Sequence, residues 1–485
     1  MLAKGGSAAD AAVAVYFTLA ATLPSSASLG GGGMCLVYDA KAGKVEALDF
    51  LSRAPATIPA TADRPSAVPA NPMGFWTLHA RFGRMPWTQL VAPGERLARL
   101  GAPASRTLMA DFTPVAAPLL QDPDSRRVFA DATGRPITEG VKLVQPDLAR
   151  ILSSIRLNGI GEFYHGTIAR DLVAGAKAAG GSLELSDLAA LRAEWRPTVQ
   201  LKDGSRVTHF APPPAAAGTL EAQMYAMIDG RGDFASASNV DRMHMLAETS
   251  MRAYADRARW MRDDYSSIDS LSTLVSQPVI DRVMSSYDPQ RHTAPASFSP
   301  APSSRPENPS ATSFITADAS GSAVACTLTM NNAFGTGRMA RGTGIMLAAA
   351  PSAQGRGPSA LGPMIAVNES SKQLYFAGAA AGGVAAPSAL MNVAARVLLA
   401  SQPLDAAMRA PRVHNAGAPD ITYVEPDASR DDVAQLTARG HTMATTPVLG
   451  LVNALSCPDG MPRARNSCAA LSDPRGHGIA MFSND

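Results

Sequence analysis

The sequence has no surplus of charge of either sign, because 43 Lys and Arg residues stand against 41 Asp and Glu residues and the formal net charge is +2. No Lys- or Arg-rich run is present to neutralise a phosphate backbone, so nucleic-acid binding is not expected. Cysteine is scarce as well, and four cysteines in 485 residues exclude a disulfide-dense scaffold. Neither a CxxC pair nor an HExxH motif occurs, so the sequence predicts no metal site and no cofactor.

Long apolar runs are also missing. Residues 11–23 are apolar, but the stretch is too short to cross a bilayer, which needs about 20 apolar residues. Asp10 and the Gly5-Gly6 pair do not suit a secretory signal peptide. We interpret the stretch as a helix that is capped by Ser7, carries Asp10 at its third position and ends before Pro24. We expect no transmembrane segment.

The apolar content is sufficient for a large core, because 46% of the residues are hydrophobic and 17% are charged. Four consecutive glycines at 30–33 imply a close approach of the backbone to a ligand or to another strand. Residues 37–50 form the pattern of a β-hairpin that turns at 41–44. A mainly helical pattern then runs from 75 to 261, with helices predicted at 146–158, 163–179, 186–195 and 241–263.

The pattern changes after residue 284. Residues 285–310 are rich in Pro and Ser, and such a segment packs poorly and is accessible to cleavage. Strands are predicted at 312–318 and 323–330, joined by a turn that contains Gly321. We therefore divide the chain into a helix-rich region at 1–284, a linker at 285–311 and a strand-led region at 312–485.

Several sequence blocks, in this order, resemble the γ-glutamyltranspeptidases, a family of N-terminal-nucleophile hydrolases. The blocks are GGSAADAAVA, GGGGMCLVYD, FYHGTIARDLV, HMLAETSMRAYADRARW, ATSFITADASGSAVACTLTMNNAFGTG and SDPRGHG, the last resembling the family's C-terminal strand. The resemblance implies an α+β fold, a four-layer αββα sandwich, whose precursor cleaves itself into a large and a small subunit of one intertwined domain. It also implies a γ-glutamyl or related acyl-amide substrate and leaves a homodimer open.

In that family the nucleophile is the threonine at the new N-terminus of the small subunit. A threonine hydroxyl is a weak nucleophile, and the free α-amine of the same residue, with a reference pKa of about 7.7–8.0, serves as its base. Here Ala311 falls on this position. Either the cleavage site has moved by one residue, to Ala311–Thr312, and Thr312 is the nucleophile, or the chain does not process, or Ala311 is an engineered change.

The remaining catalytic residues follow from the same resemblance. Thr329 matches the threonine that hydrogen-bonds the nucleophile. Gly382-Gly383 match the pair whose backbone N–H groups hold the oxyanion, although a close-packed turn would also require glycines there.

The residues that bind the glutamyl group depart from the family. The family arginine that grips the α-carboxylate falls on Leu51, and Arg53 is a candidate substitute because it lies two residues along the same strand. Asn331 matches a substrate-contacting asparagine, and Ser359 keeps one of the family's two paired serines. No acid occurs in residues 347–354, where a family aspartate holds the substrate ammonium. We therefore expect a γ-glutamyl group to bind poorly.

Two functions stay open. The first is an amide hydrolase or acyltransferase that processes itself and uses Thr312. The second is a non-processing, catalytically silent relative that binds a small molecule or a partner protein.

The cysteines bear on the compartment. Cys457 and Cys468 are separated by ten residues that include Pro-Asp-Gly and a second proline, a composition that favours a tight turn and predicts a disulfide. Cys35 and Cys326 are expected to be unrelated buried thiols in apolar strands. A disulfide and the family resemblance favour a periplasmic or extracellular location. Because the chain shows no signal peptide, the cytoplasm stays open.

Overall fold

The computed structural model describes residues 1–295, 311–351 and 360–483. The helices in these ranges are α1 (Ala8–Thr22), α2 (Pro24–Ala27), α3 (Asn71–Phe82), α4 (Trp87–Leu100), α5 (Arg106–Phe112), α6 (Ala116–Leu119), α7 (Pro123–Phe129), α8 (Pro146–Asn158), α9 (Gly161–Tyr164), α10 (Thr167–Ala178), α11 (Leu185–Ala190), α12 (Ala216–Asp229), α13 (Asn239–Trp260), α14 (Leu271–Leu274), α15 (Gln277–Met284), α16 (Ala386–Leu398), α17 (Leu404–Arg409) and α18 (Arg430–Ala438). Within the described residues, none of these helices combines the length and the apolar character that a membrane span requires.

The strands are β1 (Gly32–Asp39), β2 (Lys44–Phe50), β3 (Ala102–Pro103), β4 (Lys142–Leu143), β5 (Glu194–Arg196), β6 (Val199–Asp203), β7 (Arg206–Phe210), β8 (Ala311–Ala317), β9 (Ala323–Thr329), β10 (Met339–Ala340), β11 (Ile345–Met346), β12 (Met364–Asn368), β13 (Gln373–Ala381), β14 (Val413–His414), β15 (Thr422–Val424), β16 (Met443–Thr445), β17 (Leu451–Met461) and β18 (Ala469–Ser472). Two antiparallel sheets form the centre of the molecule. Sheet A has the order β5-β2-β1-β9-β8, and sheet B has the order β18-β17-β13-β12-β7-β6. Smaller sheets pair β10 with β11, β3 with β4, and β14, β15 and β16 with one another.

The two sheets face each other across a buried apolar layer. Met34 and Leu36 of β1 project into this layer from sheet A, and Ile365 of β12 and Ala377 of β13 project into it from sheet B. The alternate residues of the same strands point outwards, so the outer face of sheet A packs on α1, α3, α4 and α8, and that of sheet B on α12, α13 and α16. The result is the four-layer αββα sandwich that the resemblance implies. Both sheets combine strands from before and after the linker, which are neighbours at β1 and β9 and at β12 and β7, so the two regions form one intertwined unit.

The four glycines at 30–33 are required by strand packing. A Cβ atom on Gly32 would lie 2.2 Å from the backbone nitrogen of Ser52, and one on Gly33 would lie 2.4 Å from the carbonyl oxygen of Thr327. Real Cβ contacts essentially never fall below 3.0 Å, so no side chain fits at either position. Of the two explanations that the sequence leaves open, the structure therefore supports the close approach of another strand.

Several local predictions are confirmed. The backbone N–H of Asp10 donates to Ser7 Oγ at 3.1 Å, and the backbone N–H of Ser7 donates to the Asp10 carboxylate at 2.9 Å, which completes the predicted cap of α1. The hairpin of β1 and β2 turns where the pattern places it, and α8 spans the predicted residues.

Other local predictions are wrong. The predicted helix at 163–179 is split into α9 and α10 because Gly166 takes an extended backbone between them. The predicted helix at 186–195 ends at Ala190, since Trp195 pairs with Leu48 as part of β5 in sheet A. The SDPRGHG block is not itself a strand, because β18 ends at Ser472 and the following residues turn away. Ala311 begins β8 and therefore belongs to the sheet, not to the linker.

Both pairs of cysteines form disulfides. Cys457 and Cys468, for which the sequence predicts a bond, are joined. The expectation of two unrelated thiols at Cys35 and Cys326 is wrong, because these residues are direct cross-strand partners on β1 and β9 and are also bonded. Their separation of 291 residues hides this pairing in the sequence. The bond between Cys35 and Cys326 therefore links the regions before and after the linker covalently.

We expect the oxidised, denatured chain to contain no free thiols and the reduced chain to contain four, because both pairs are bonded. Thiol titration with and without reductant measures this. Cleavage of the chain at Ala311–Thr312 would give fragments of about 32 and 18 kDa, the shares of 311 and 174 residues in a 485-residue chain of 50.3 kDa. Electrophoresis should separate these fragments only after reduction. A double variant, Cys35→Ala with Cys326→Ala, is the control, and its fragments should separate without reductant. Two free thiols in the oxidised chain would contradict the bond between Cys35 and Cys326.

Candidate active site

The start of β8 lies at one end of sheet A, beside the end of β9. Ala311 pairs with Thr329, and Thr329 pairs in turn with Gly32 on β1. Directly opposed residues of neighbouring strands project to the same face of a sheet. The methyl group of Ala311 and the hydroxyl group of Thr329 therefore lie side by side, on the face that Ser313 shares two residues further along β8.

Contacts between the sheets determine which end of sheet B faces Ala311. The Ser313 hydroxyl donates to the carbonyl oxygen of Ala379 on β13 at 3.2 Å. The turn between β8 and β9 packs against the end of β17, and that end pairs with the start of β13. Strands β8 and β13 therefore run in opposite directions. Ala311 lies towards the end of β13, where Gly382 follows.

Thr312 projects to the other side of sheet A. Side chains alternate along a strand, so Thr312 shares its face with Phe314 and Thr316. The Thr316 hydroxyl donates to the carbonyl oxygen of Ala8 in α1 at 2.8 Å, and Phe314 lies in the core under the helices. In the uncleaved chain the structure thus places Ala311, and not Thr312, on the face that looks towards sheet B.

Thr329 and Asn331 fix the end of β9. The backbone N–H of Asn331 donates to Thr329 Oγ1 at 2.9 Å, which leaves the hydroxyl hydrogen of Thr329 available as a donor. Asn331 has a left-handed backbone with φ of 62° and is buried. Its side-chain amide donates to the carbonyl oxygen of Ala349 at 2.8 Å and to Ser52 Oγ at 3.4 Å. Asn331 therefore holds two loops in place, and its contact with substrate stays a prediction.

Gly382 and Gly383 form the turn between β13 and α16. Both have positive φ angles, 137° and 60°, which favour glycine. A Cβ atom on Gly382 would lie 2.5 Å from the Cα atom of Gly450, so this glycine is also required by packing. The N–H groups at the start of a helix have no partner within that helix, and its dipole favours negative charge there. The turn thus lies at a helix start, and its role in holding an oxyanion stays a prediction.

The glutamyl-binding positions carry little charge. Leu51 is 4% exposed and packs between the sheets. The same-face argument for Arg53 does not apply, because β2 ends at Phe50. The Arg53 side chain is half exposed, and its Nη2 lies 3.6 Å from the carboxylate of Glu194. Residues 347–351 are apolar, and Ser359 lies outside the described residues.

Sequence reasoning missed a buried Ser–His pair behind the glycine turn. The Ser388 hydroxyl, in the first turn of α16, lies 2.6 Å from His414 Nδ1, and both residues are at most 1% exposed. Burial lowers the pKa of His414 from 6.5 to about 4. No motif announces this pair, because the two residues come from different elements.

A buried ion pair was missed as well. The Arg412 guanidinium lies 2.7 Å from the Asp473 carboxylate and donates to the carbonyl oxygen of Gly450 at 2.8 Å. Asp473 also accepts a hydrogen bond from the backbone N–H of Val452 at 2.7 Å. Because Gly382 packs on Gly450, the pair of Arg412 and Asp473 stabilises the backbone against which the glycine turn packs. Asp473 is the acid of the SDPRGHG block.

The low pKa of His414 predicts a loss of stability in acid. A buried histidine that resists protonation stabilises the fold fully above its unfolded pKa of about 6.5, and the stability falls as the unfolded state takes up a proton between pH 6.5 and 4. The contribution amounts to roughly 3 kcal/mol in the free energy of unfolding. His414→Asn keeps a hydrogen-bonding group for Ser388. We expect this variant to reduce the difference in the free energy of unfolding between pH 7 and pH 4 by this amount.

Urea unfolding at the two pH values measures the effect. The matched control is His477→Asn, because His477 is exposed. If the free energy of unfolding changes with pH as much in His414→Asn as in the unmodified chain, His414 is not the source of the acid sensitivity.

Comparisons with known proteins agree with this architecture. The profile of the family described as gamma-glutamyltranspeptidase matches residues 1–483. The chain is 28% identical, over 98% of its length and 87% of the relative's, to the glutathione hydrolase proenzyme of Escherichia coli (strain K12). It is 30% identical, over 95% of its length and 88% of the relative's, to the acylase ACY 1 proenzyme of Pseudomonas sp. (strain V22).

The fold has a close counterpart among solved structures. The crystal structure of cephalosporin acylase from Bacillus halodurans superposes with a TM-score of 0.84, covering 99% of this chain and 92% of that one at 22% identity. This likeness supports the αββα fold of the N-terminal-nucleophile hydrolases. Since the family profile also matches nearly every residue, the chain belongs to the γ-glutamyltranspeptidase family.

Proposed function

We propose that the protein is an amide hydrolase or acyltransferase that uses Thr312 as an N-terminal nucleophile after cleavage of the Ala311–Thr312 bond. The observation that carries this proposal is the meeting of three features at one end of the sandwich: the start of β8, the Thr329 hydroxyl, and the turn of Gly382 and Gly383. The relatives named as hydrolase and acylase proenzymes support the same reaction class.

The reaction follows from the chemistry of a terminal threonine. The Thr312 oxygen attacks the acyl carbon, and its proton passes to the free α-amine of the same residue. N–H groups at the turn of Gly382 and Gly383 hold the negative charge that develops on the acyl oxygen. When the C–N bond breaks, the departing amine takes the proton from the α-amine and leaves an ester on Thr312. Water or an acceptor amine then attacks this ester and restores the hydroxyl.

Cleavage must also turn Thr312 round. In the intact chain its side chain faces the helices. Once Ala311 is detached, Thr312 becomes the first residue of β8, held in the ladder only by its pairing with Leu328. Rotation about the Thr312 backbone then brings its hydroxyl to the face of Thr329. This rotation breaks the pairing with Leu328. The proposed subunits are residues 1–311 and 312–485.

The proposed substrate follows from the changes at the positions where the family binds the glutamyl group. An apolar residue at Leu51 and the apolar stretch 347–351 suit a neutral acyl chain better than a group that carries both an ammonium and an α-carboxylate. We therefore propose a neutral acyl-amide as substrate. We place the protein in the periplasm or outside the cell, because two disulfides persist in oxidising compartments.

A second candidate is a non-processing relative that binds an acyl-amide without cleaving it. The observation that favours it is the position of Ala311, whose methyl group occupies the place of the family's nucleophilic hydroxyl in the intact chain. The two candidates differ in whether the chain is cut.

Reducing electrophoresis, intact mass and N-terminal sequencing of the purified chain test the proposal. We expect a fragment that begins at Thr312 and amidase activity that Thr312→Ala abolishes and Thr312→Ser retains. Ser313→Ala is the matched control, because Ser313 is the next residue of β8 and its hydroxyl already faces sheet B. An uncut, inactive natural chain would favour the second candidate, and loss of activity in Ser313→Ala alone would move the nucleophile to Ser313.

A further inference from the structure

A cluster of three histidines and one glutamate lies in the helical layer outside sheet B. His244 and Glu248 stand one turn apart on the same face of α13. His441 follows α18, and His292 follows α15. His244 and Glu248 are fully buried, His441 is 3% exposed, and the side chain of His292 is 6% exposed. We call these four residues the histidine cluster.

The donor atoms of the cluster converge. His244 Nδ1 lies 2.8 Å from His441 Nε2. One ligand atom each from His244, Glu248 and His441 lies within 4.8 Å of the others. His292 Nδ1 lies 2.6 Å from the Glu248 carboxylate, and the rings of His292 and His441 are 4.4 Å apart. Three ligand atoms therefore converge on one position, and His292 lies next to them through Glu248 and His441.

The nitrogen of each histidine that points away from the cluster meets an oxygen atom. These pairs are His244 Nε2 with the carbonyl oxygen of Asp288 at 2.9 Å, His441 Nδ1 with Thr422 Oγ1 at 2.9 Å, and His292 Nε2 with the Asp420 carboxylate at 3.1 Å. Histidines that bind a metal ion almost always donate their second N–H to a carboxylate, a backbone carbonyl or water. Asp288 and Asp420 provide two of these partners, and the Thr422 hydroxyl takes the place of the third. The outer bonds fix which nitrogen faces inwards.

Two carboxylates lie at the site. Glu248 and Asp420 both bond His292, and Glu248 also bonds Arg252. Two carboxylates thus lie within one contact of the converging nitrogens. A ligand set of three imidazoles and one carboxylate matches the preferences of zinc and of neighbouring divalent transition metals, and not those of magnesium or calcium.

We propose that His244, Glu248, His292 and His441 bind one divalent transition-metal ion, with zinc the best match. At Zn–N distances of 2.0–2.1 Å in a tetrahedron, ligand nitrogens lie about 3.3 Å apart, so His244 and His441 need to separate by only about 0.5 Å. As the ion enters, the proton between His292 and Glu248 leaves to solvent. The hydrogen bond between His244 and His441 also breaks, and the proton on His441 Nε2 moves to His441 Nδ1, which then donates to Thr422 Oγ1. With four protein ligands the site is structural and stiffens α13, whose Tyr254 hydroxyl bonds the carbonyl oxygen of Val384 beside the glycine turn.

This site runs against the sequence expectation of no metal. Motif searches rely on ligands at short spacing, such as CxxC or HExxH. Here the ligands are spread over 198 positions, from 244 to 441, and only the helical pair His244 and Glu248 is close in sequence.

Zinc titration of the full chain, after dialysis against a chelator, tests the proposal. We expect one zinc ion per chain by calorimetry and by metal analysis, a higher melting temperature with zinc than without it, and the visible absorption of tetrahedral cobalt when Co²⁺ replaces zinc. None of these readouts depends on enzymatic activity. His441→Gln should weaken zinc binding by at least about 100-fold, and Asp420→Asn, which removes an outer partner only, by about 10–100-fold.

His477→Gln is the matched control, since His477 is exposed and should leave zinc binding unchanged. Circular dichroism verifies the folding of each variant, and Asp420→Asn keeps the test valid if His441→Gln does not fold. A folded natural chain that takes up no stoichiometric zinc would overturn the site. So would zinc binding that survives His441→Gln and Asp420→Asn unchanged.

Discussion

Replacing Ala311 with threonine should make the chain cleave itself before position 311 and hydrolyse acyl-amides at least about 10³-fold faster than the natural chain. The reason is geometric. The Ala311 methyl group already lies beside the Thr329 hydroxyl and on the face turned towards sheet B and the glycine turn. A hydroxyl at this position needs no rotation of the chain, whereas Thr312 has to leave the helical face first.

A time course of reducing electrophoresis and the release of p-nitroaniline from an acyl-p-nitroanilide measure the two effects. Ala311→Val is the matched control, because valine has the shape of threonine without the hydroxyl. In the Ala311→Thr background, Thr329→Val should remove most of the gain. If the Ala311→Thr chain stays intact and inactive, the site lacks more than a nucleophile, and the binding function becomes the better explanation.

The sequence predicted many local elements well, because they depend on short-range patterns, whereas the four layers followed from the family resemblance. The cap of α1 by Ser7 and Asp10, the hairpin of β1 and β2, and the strands that follow the linker all come from local periodicity and turn chemistry. The predictions that failed depend on distant partners. Trp195 joins β5 because Leu48 lies opposite, and Cys35 is bonded because Cys326 lies opposite. No local window contains those partners.

For the candidate site the sequence indicates positions along the chain and not the orientations of the side chains. Alignment placed Thr312 one residue from the family nucleophile, but one step along a strand reverses the face of the side chain. It likewise placed Arg53 two residues from the family arginine, and the strand ends before that alternation applies. The buried pair of Ser388 and His414 has no sequence signal at all, since only the tertiary contact of α16 with β14 brings the two residues together.

The altered residues at the family's glutamyl-binding positions predict that glutathione and other γ-glutamyl amides are poor substrates. Each charge-assisted hydrogen bond contributes about 1.5–3 kcal/mol, so the loss of two weakens transition-state binding by about 3–6 kcal/mol, or roughly a hundred- to ten-thousandfold. In the structure Leu51 offers no charge, Arg53 lies beside Glu194, and residues 347–351 contain no acid. An acyl group without the ammonium and the α-carboxylate avoids the cost of leaving both unpaired.

Four p-nitroanilides with the same leaving group separate these contributions: the γ-glutamyl, glutaryl, 4-aminobutyryl and butyryl compounds. We expect kcat/KM to rise from the first to the last by at least about 100-fold in whichever form of the chain is processed, since each deletion removes a charge that finds no partner. Leu51→Arg is not a clean rescue, because Leu51 is packed between the sheets and an arginine there buries an unpaired charge. The informative comparison is therefore made on the substrate. A γ-glutamyl compound that is turned over as well as the butyryl compound would show that another group grips the α-carboxylate. Glu194→Gln, which frees Arg53 from its neighbour, would then test whether that group is Arg53.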